Sequence, residues 1–179
     1  MQDFSDLLAI TKHGDLIRKI LAAVLFALSC QVALANELQG RIVGVSDGDT
    51  ITVLDAKNQQ HKVRLAGIDA PEKSQAFGQA SKKQLSELVF GKAVVVEWQK
   101  LDRYGRVVGK VLLDGFDVCL EQIRKGMAWH YKKYAGDQSA GDRQTYAAIE
   151  AEAREARLGL WIDESPEPPW DYRHRGRSK

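Results

Sequence analysis

Apolar and polar residues alternate with period two through three successive runs early in the chain. "LQGRIVGVS" presents Ile42, Val43 and Val45; "DGDTITVLD" presents Ile51 and Val53; "HKVRLAGI" presents Val63, Leu65 and Ile68. Each run is bounded by turn residues, the pattern of half-buried strands. Ala56-Lys57-Asn58-Gln59 is the expected hairpin turn between the second and third strands. Such a chain must build a sheet first and then cover its apolar face.

The remaining periodicities supply the cover. In "PEKSQAFGQASKKQLSELVFGK", Phe77, Ala80, Leu85, Leu88 and Val89 recur at helical spacing, with Pro71 at the entry and Gly91 at the stop. "AVVVEWQ" and "VVGKVLL" are two further strands joined by "KLDRYGR". "DVCLEQIRKGMAW" predicts a second helix with Val118, Leu120, Ile123 and Met127 inward. "SAGDRQTYAAIEAEAREARLGLW" predicts a third, ending at Gly159. Three strands, a helix, two strands and two helices make an α+β chain whose order matches a five-stranded Greek-key barrel of the OB type with three α-helices. A split α+β sandwich is the competing architecture.

The 179 residues, 44% hydrophobic and 28% charged, suit one globular domain with extensions. A net charge of +2 names no partner. The first 35 residues read differently. Arg18 and Lys19 precede an apolar run from Ile20 to Leu28, and Ala33-Leu34-Ala35 follows, the pattern of a secretory signal cleaved after Ala35. The run is short for a membrane span of ~20 residues, although an uncleaved anchor is the alternative. Residues 1–15 carry three aspartates and are expected to be an extension ahead of the true start. The expected organisation is a signal over 1–35, a folded domain over 36–162, and a Pro-rich basic tail over 163–179, extended and partly docked by Trp170, its end "RHRGRSK" solvated or attracting phosphate without regard to sequence. Export implies a secreted or periplasmic protein with no stable membrane association. The cysteines are Cys30, which leaves with the signal unless lipidated, and Cys119, so the mature fold stands without an internal disulfide.

The stretch "VRLAGIDAPE" raises the question of function, because it sets Arg64, Asp69 and Glu72 at the end of a strand. With the hairpin turn as above, antiparallel partners sum to roughly 115, which puts Asp49 opposite about Ala66. Asp49 and Asp69 then converge at one rim of the sheet, as oxygen ligands of a hard cation do. Arg64 lies on the face opposite Val63 and Leu65, outward and near both carboxylates. Simpler readings exist for each: Asp49 as an Asp-Gly turn residue, Asp69 and Glu72 as helix-start residues, and Arg64 as a surface ion pair. Arg106 lies in "DRYGR", and nothing local brings it beside Arg64.

Taken together, "SDGDTITV", "VRLAGIDAPE", "DRYGRVVGKV" and "EQIRKGMAW", in this order and spacing, resemble the staphylococcal-nuclease (thermonuclease) family over about residues 38–161. The resemblance implies an OB-fold, Ca²⁺-dependent phosphodiesterase acting on DNA and RNA. It implies Asp49, Asp69 and the carbonyl of Ala70 as metal ligands, and Arg64, Glu72 and Arg106 as the catalytic trio. Arg103 and Tyr104 match positions that approach the substrate phosphate. Ala70 stands where the family can carry threonine, which removes a hydroxyl but keeps the carbonyl. The segment from Glu72 to Phe77 is also shorter than the flexible loop of secreted staphylococcal-type members.

The stretch "MAWHYKKYA" interleaves aromatic and basic residues, as single-strand binders do. Trp129, Tyr131 and Lys132 are candidate substrate contacts, with a core role for Trp129 equally open. The protein is expected to be a monomer. A non-catalytic nucleic-acid-binding module is the competing function, and the presence of all five side chains (Asp49, Arg64, Asp69, Glu72 and Arg106) argues against it.

Overall fold

The computed structural model describes residues 36–175, and the signal and start-site expectations lie outside them. Five strands carry the fold: β1 (Asn36–Asp47), β2 (Thr50–Leu54), β3 (Gln60–Leu65), and then, after the short β4 (Ile68–Asp69) and helix α1 (Gly78–Val89), β5 (Ala93–Leu101) and β6 (Val107–Leu113). The 12-residue β1 pairs antiparallel with both β2 and β5, with register shifts along its pairing with β2. The sheet order β3-β2-β1-β5-β6 closes on itself through a parallel pairing of β3 with β6. The result is the expected five-stranded OB barrel, which leaves no long edge among its strands. Its interior is filled by the inward residues of the alternating runs, among them Ile42, Ile51, Val53, Val63, Val96 and Val111, all at 0% exposure.

The second half continues with β7 (Phe116–Asp117), α2 (Val118–Arg124), β8 (Trp129–His130), a 3₁₀ turn at Lys132–Asp137, α3 (Ala140–Glu155), a second 3₁₀ turn at Gly159–Ile162 and α4 (Pro169–Arg175). Helix α3 starts at Ser139, whose hydroxyl accepts from the Asp142 N–H at 3.0 Å, an ordinary N-cap. Among the described residues no helix is long and apolar enough to cross a membrane.

Several expectations change. Helix α1 begins at Gly78, not at Pro71, because Phe77 takes a left-handed conformation (φ +63°) and residues 71–77 form turns. Its buried face is Gly78, Ser81, Leu85 and Val89; Ala80 is exposed, and Ser81 is accommodated because its hydroxyl donates to the Met127 carbonyl at 2.7 Å. Met127 lies beyond α2, which ends at Arg124. Helix α3 ends at Glu155, before Gly159. The loop between β2 and β3 has five residues rather than four, since Asp55 closes it by accepting from the Lys57 and Gln59 N–H groups at 2.8 Å. That moves the register by one: Thr50 faces Arg64, and the Asp49 carbonyl accepts from Leu65. The tail is not simply extended, for Pro169–Arg175 forms a fourth helix.

Candidate active site

Glycine at position 48 sets the approach of the first carboxylate. Gly48 and Asp49 make the two-residue turn between β1 and β2. A Cβ at Gly48 would lie 1.9 Å from the Ser81 hydroxyl and 2.7 Å from the Ala70 methyl, so only glycine lets the turn sit against α1 and the segment after β4. Gln122, buried in α2, donates to the Gly48 carbonyl at 2.7 Å and fixes the turn from below. Asp49 is thereby held 4% exposed, with Oδ2 accepting from the Ala70 N–H at 2.7 Å and Oδ1 from the Thr50 hydroxyl at 3.1 Å.

The second carboxylate comes from a separate small sheet. β4 pairs with β8, so that Asp69 faces Trp129 and Ile68 faces His130. β8 is pinned in turn by α3, where the buried Glu150 carboxylate accepts from the His130 N–H at 3.0 Å. Asp69 is fully buried. Arg64 joins the two acids: its guanidinium contacts Asp49 Oδ1 through Nη1 and Asp69 Oδ1 through Nη2 at 2.6 Å. The outward orientation expected for Arg64 holds, with Val63 and Leu65 inside the barrel.

Glu72 stands on the turn segment, with its side chain about two-fifths exposed and no helix start beneath it. The helix-start reading of Glu72 therefore fails, because α1 opens at Gly78. Gly78 is itself required by this loop: a Cβ there would lie 1.9 Å from the Glu72 carbonyl oxygen.

Arg106 reaches the site through barrel closure. The parallel register sets Val63 beside Val107 and Arg64 beside Val108. Register partners share a face and alternate residues return to it, so Arg106 continues the outer face that carries Arg64. Arg106 is tethered by Asp102, which accepts from its Nε at 2.7 Å and its N–H at 3.0 Å. Burial alone would raise the Asp102 carboxyl, but these bonds and the Tyr104 N–H outweigh it and hold the group below the usual value. Tyr104 is exposed, with the Arg103 and Arg106 guanidiniums 4.8 Å and 5.5 Å from its ring centre.

Asp49, Arg64, Ala70, Glu72, Arg103 and Arg106 line one cleft of about 980 Å³, which Tyr131 and Trp129 also border, while Asp69 lies buried behind Arg64. Tyr131 is half-buried, and burial and then the negative charge of Asp69 push its phenol up. Trp129 is 7% exposed and packs edge-on against Trp161 at 4.3 Å, with Leu160 and Ala153 in the same cluster. Its ring is committed to packing, which favours the core reading over base stacking. Lys132 is exposed and pairs with Glu150 at 3.1 Å.

One cleft residue was expected only as part of a basic, solvated tail. Arg173 of α4 donates to Asp69 through both terminal nitrogens, at 2.7 Å and 3.2 Å, and to Glu72 Oε1 at 2.8 Å. Burial opposes its charge, but the bonds to Asp69 and Glu72 raise it overall. The signal for α4 was present: Pro169 suits a first helical position, Asp171 the first turn, and Arg173 to Arg175 the last.

The site is thus three carboxylates facing fixed guanidiniums on the rim of an OB barrel. A family model described as "Staphylococcal nuclease homologue" matches residues 62–163, and the chain belongs to that family. It is 42% identical over 160 residues to an Escherichia coli protein named "Uncharacterized endonuclease", covering 89% of this chain and 99% of that one. A Haemophilus influenzae protein of the same description is 41% identical, covering 88% and 86%. A Shigella flexneri protein named "Micrococcal nuclease" is 39% identical over 171 residues, covering 90% and 94%.

Proposed function

We propose that this protein is a Ca²⁺-dependent nuclease that hydrolyses phosphodiester bonds of DNA and RNA. The observation that carries the reading is the convergence of Asp49, Arg64 and Glu72 on the cleft that Arg106 also lines, with the buried Asp69 paired to Arg64 directly behind it. The donor set fits a hard cation: two nearly solvent-free carboxylates already hold a guanidinium between them, so the pocket is built for positive charge. Asp49, Asp69 and the Ala70 carbonyl would hold Ca²⁺, which when bound supplies positive charge to a phosphoryl oxygen.

The chain's own residues do the rest. Attack on a phosphodiester drives an anion toward greater negative charge, and guanidinium forks meet phosphoryl oxygens in pairs, as an ammonium does not. Arg64 and Arg106 are that clamp. Asp102 orients Arg106 through its Nε and leaves the two terminal nitrogens for substrate. Glu72, half-exposed at the cleft, takes the proton of the attacking water. Arg103 and Tyr104 lie where the chain beyond the scissile phosphate would pass, and Tyr131 and Lys132 border the other side. The apolar run Ile20–Leu28 followed by Ala33-Leu34-Ala35 supports export to the periplasm or medium; a mature protein starting at Asn36 in terminal sequencing is the expected result.

Replacing Glu72 with Gln keeps shape and removes basicity. The expected result is a fall in kcat of at least ~10²-fold, with substrate affinity and thermal stability nearly unchanged. A variant of normal turnover removes Glu72 from the chemistry.

A further inference from the structure

The bonds of Arg173 fall on the atoms the proposed function needs. Both Asp69 oxygens accept from it, and so does Glu72 Oε1. Asp69 Oδ1 is shared with Arg64, and the Asp49 oxygens are taken by Arg64, Thr50 and the Ala70 N–H. Every carboxylate oxygen of the Asp49–Asp69 pair is therefore engaged while α4 is docked. The charges agree with this. Asp49, Asp69 and Glu72 face Arg64 and Arg173, leaving one negative charge; with Arg173 withdrawn, two remain, the complement of a divalent cation.

Helix α4 is attached in a way that permits withdrawal. Among the described residues no sheet ladder reaches it. Trp170 lies flat on Tyr131, with ring centres 5.5 Å apart and planes at 8°, and edge-on to Trp129 at 5.6 Å. The Tyr172 hydroxyl meets the Ser74 hydroxyl at 2.9 Å, and Gln75 donates to the Glu167 carbonyl at 2.6 Å. Ser74 and Gln75 belong to the loop that carries Glu72, so the same contacts clamp that loop.

We infer that the C-terminal segment is an internal latch on the cation seat: α4 holds the Arg173 guanidinium across Asp69 and Glu72, and a divalent cation bound by Asp49 and Asp69 displaces it. In the latched state the seat is filled from within and the Glu72 carboxylate is engaged; in the open state both are released together. The inference rests on the metal reading of Asp49 and Asp69, and its test separates the two.

CaCl₂ is titrated calorimetrically, without nucleic acid, into the wild-type protein, Arg173→Ala and Trp170→Ala, and hydrogen exchange of the α4 amides is followed with and without Ca²⁺. A seat open in a tenth of molecules or fewer lowers apparent affinity by ~10-fold or more. Arg173→Ala is therefore expected to bind Ca²⁺ at least ~10-fold more tightly than wild type. Trp170→Ala, which leaves every charge of the seat in place, is expected to bind more tightly by a smaller factor. Exchange in α4 of the wild type rises with Ca²⁺. Equal or weaker binding in both variants overturns the latch while leaving the seat intact. Tighter binding in Arg173→Ala alone, with α4 protection unmoved by Ca²⁺, also overturns it, since Arg173 is then a resident charge. Absence of Ca²⁺ binding in all three forms overturns the seat and the latch with it.

Discussion

Arg64 contacts carboxylates from two different segments, and Arg106 is aimed by Asp102, so each guanidinium is held in a fixed fork. Lysine keeps the charge at either position and loses the paired geometry. Arg64→Lys and Arg106→Lys are each expected to lower kcat/KM by ~10²-fold or more, in line with the loss of a preorganised charge donor in a transition state. Near-normal kcat/KM in both would return them to surface ion pairs. Asp102 gives a pH-dependent check on the same tether. Its folded carboxyl is depressed, so its contribution to stability is complete above the unfolded value of ~3.9. That contribution is lost as pH falls through the folded value below it. An NMR titration of the Asp102 carboxyl should therefore have its midpoint under the ordinary carboxylate value, and a midpoint at or above it would contradict the tether.

At the scale of elements, the site depends on short, irregular pieces more than on the barrel strands. The Gly48–Asp49 turn, the two-residue pairing of β4 with β8 and the loop from Pro71 to Phe77 each bring one group, and each is fixed by a buried neighbour. Gly78 shows the coupling. Alanine is the better helix former by ~1 kcal/mol, yet a Cβ there collides with the backbone carbonyl of Glu72. Gly78→Ala is expected to move that loop and lower kcat by ~10–10²-fold, since misplacement of about 1 Å has that effect on a positioned group. The melting temperature should fall as well, because the group that must move is backbone. Unchanged turnover would show that the loop's position is not critical. The sequence reading started α1 at Pro71 because Phe77 and Pro71 fit helical rules; it missed the left-handed Phe77 because an aromatic residue carries no local mark for that conformation.

Across the whole molecule, what was legible follows from how far apart the cooperating residues lie. The strands were readable because each alternates within itself, and the grouping of Arg64, Asp69 and Glu72 was readable because a single strand end carries all three. Arg106 could not be placed, since its approach requires the β3–β6 pairing that closes the barrel. Arg173 lies 101 positions from Glu72 and is brought there by aromatic docking of α4, which no periodicity encodes. The activity proposed for the residues so assembled is phosphodiester hydrolysis, and the direct test is cleavage. Single-stranded DNA, duplex DNA and RNA are each incubated with the purified protein in Ca²⁺ or in excess chelator. Cleavage with Ca²⁺ and its loss with chelator is the predicted result. Binding without cleavage of any of the three in Ca²⁺, or full turnover in chelator, would contradict it.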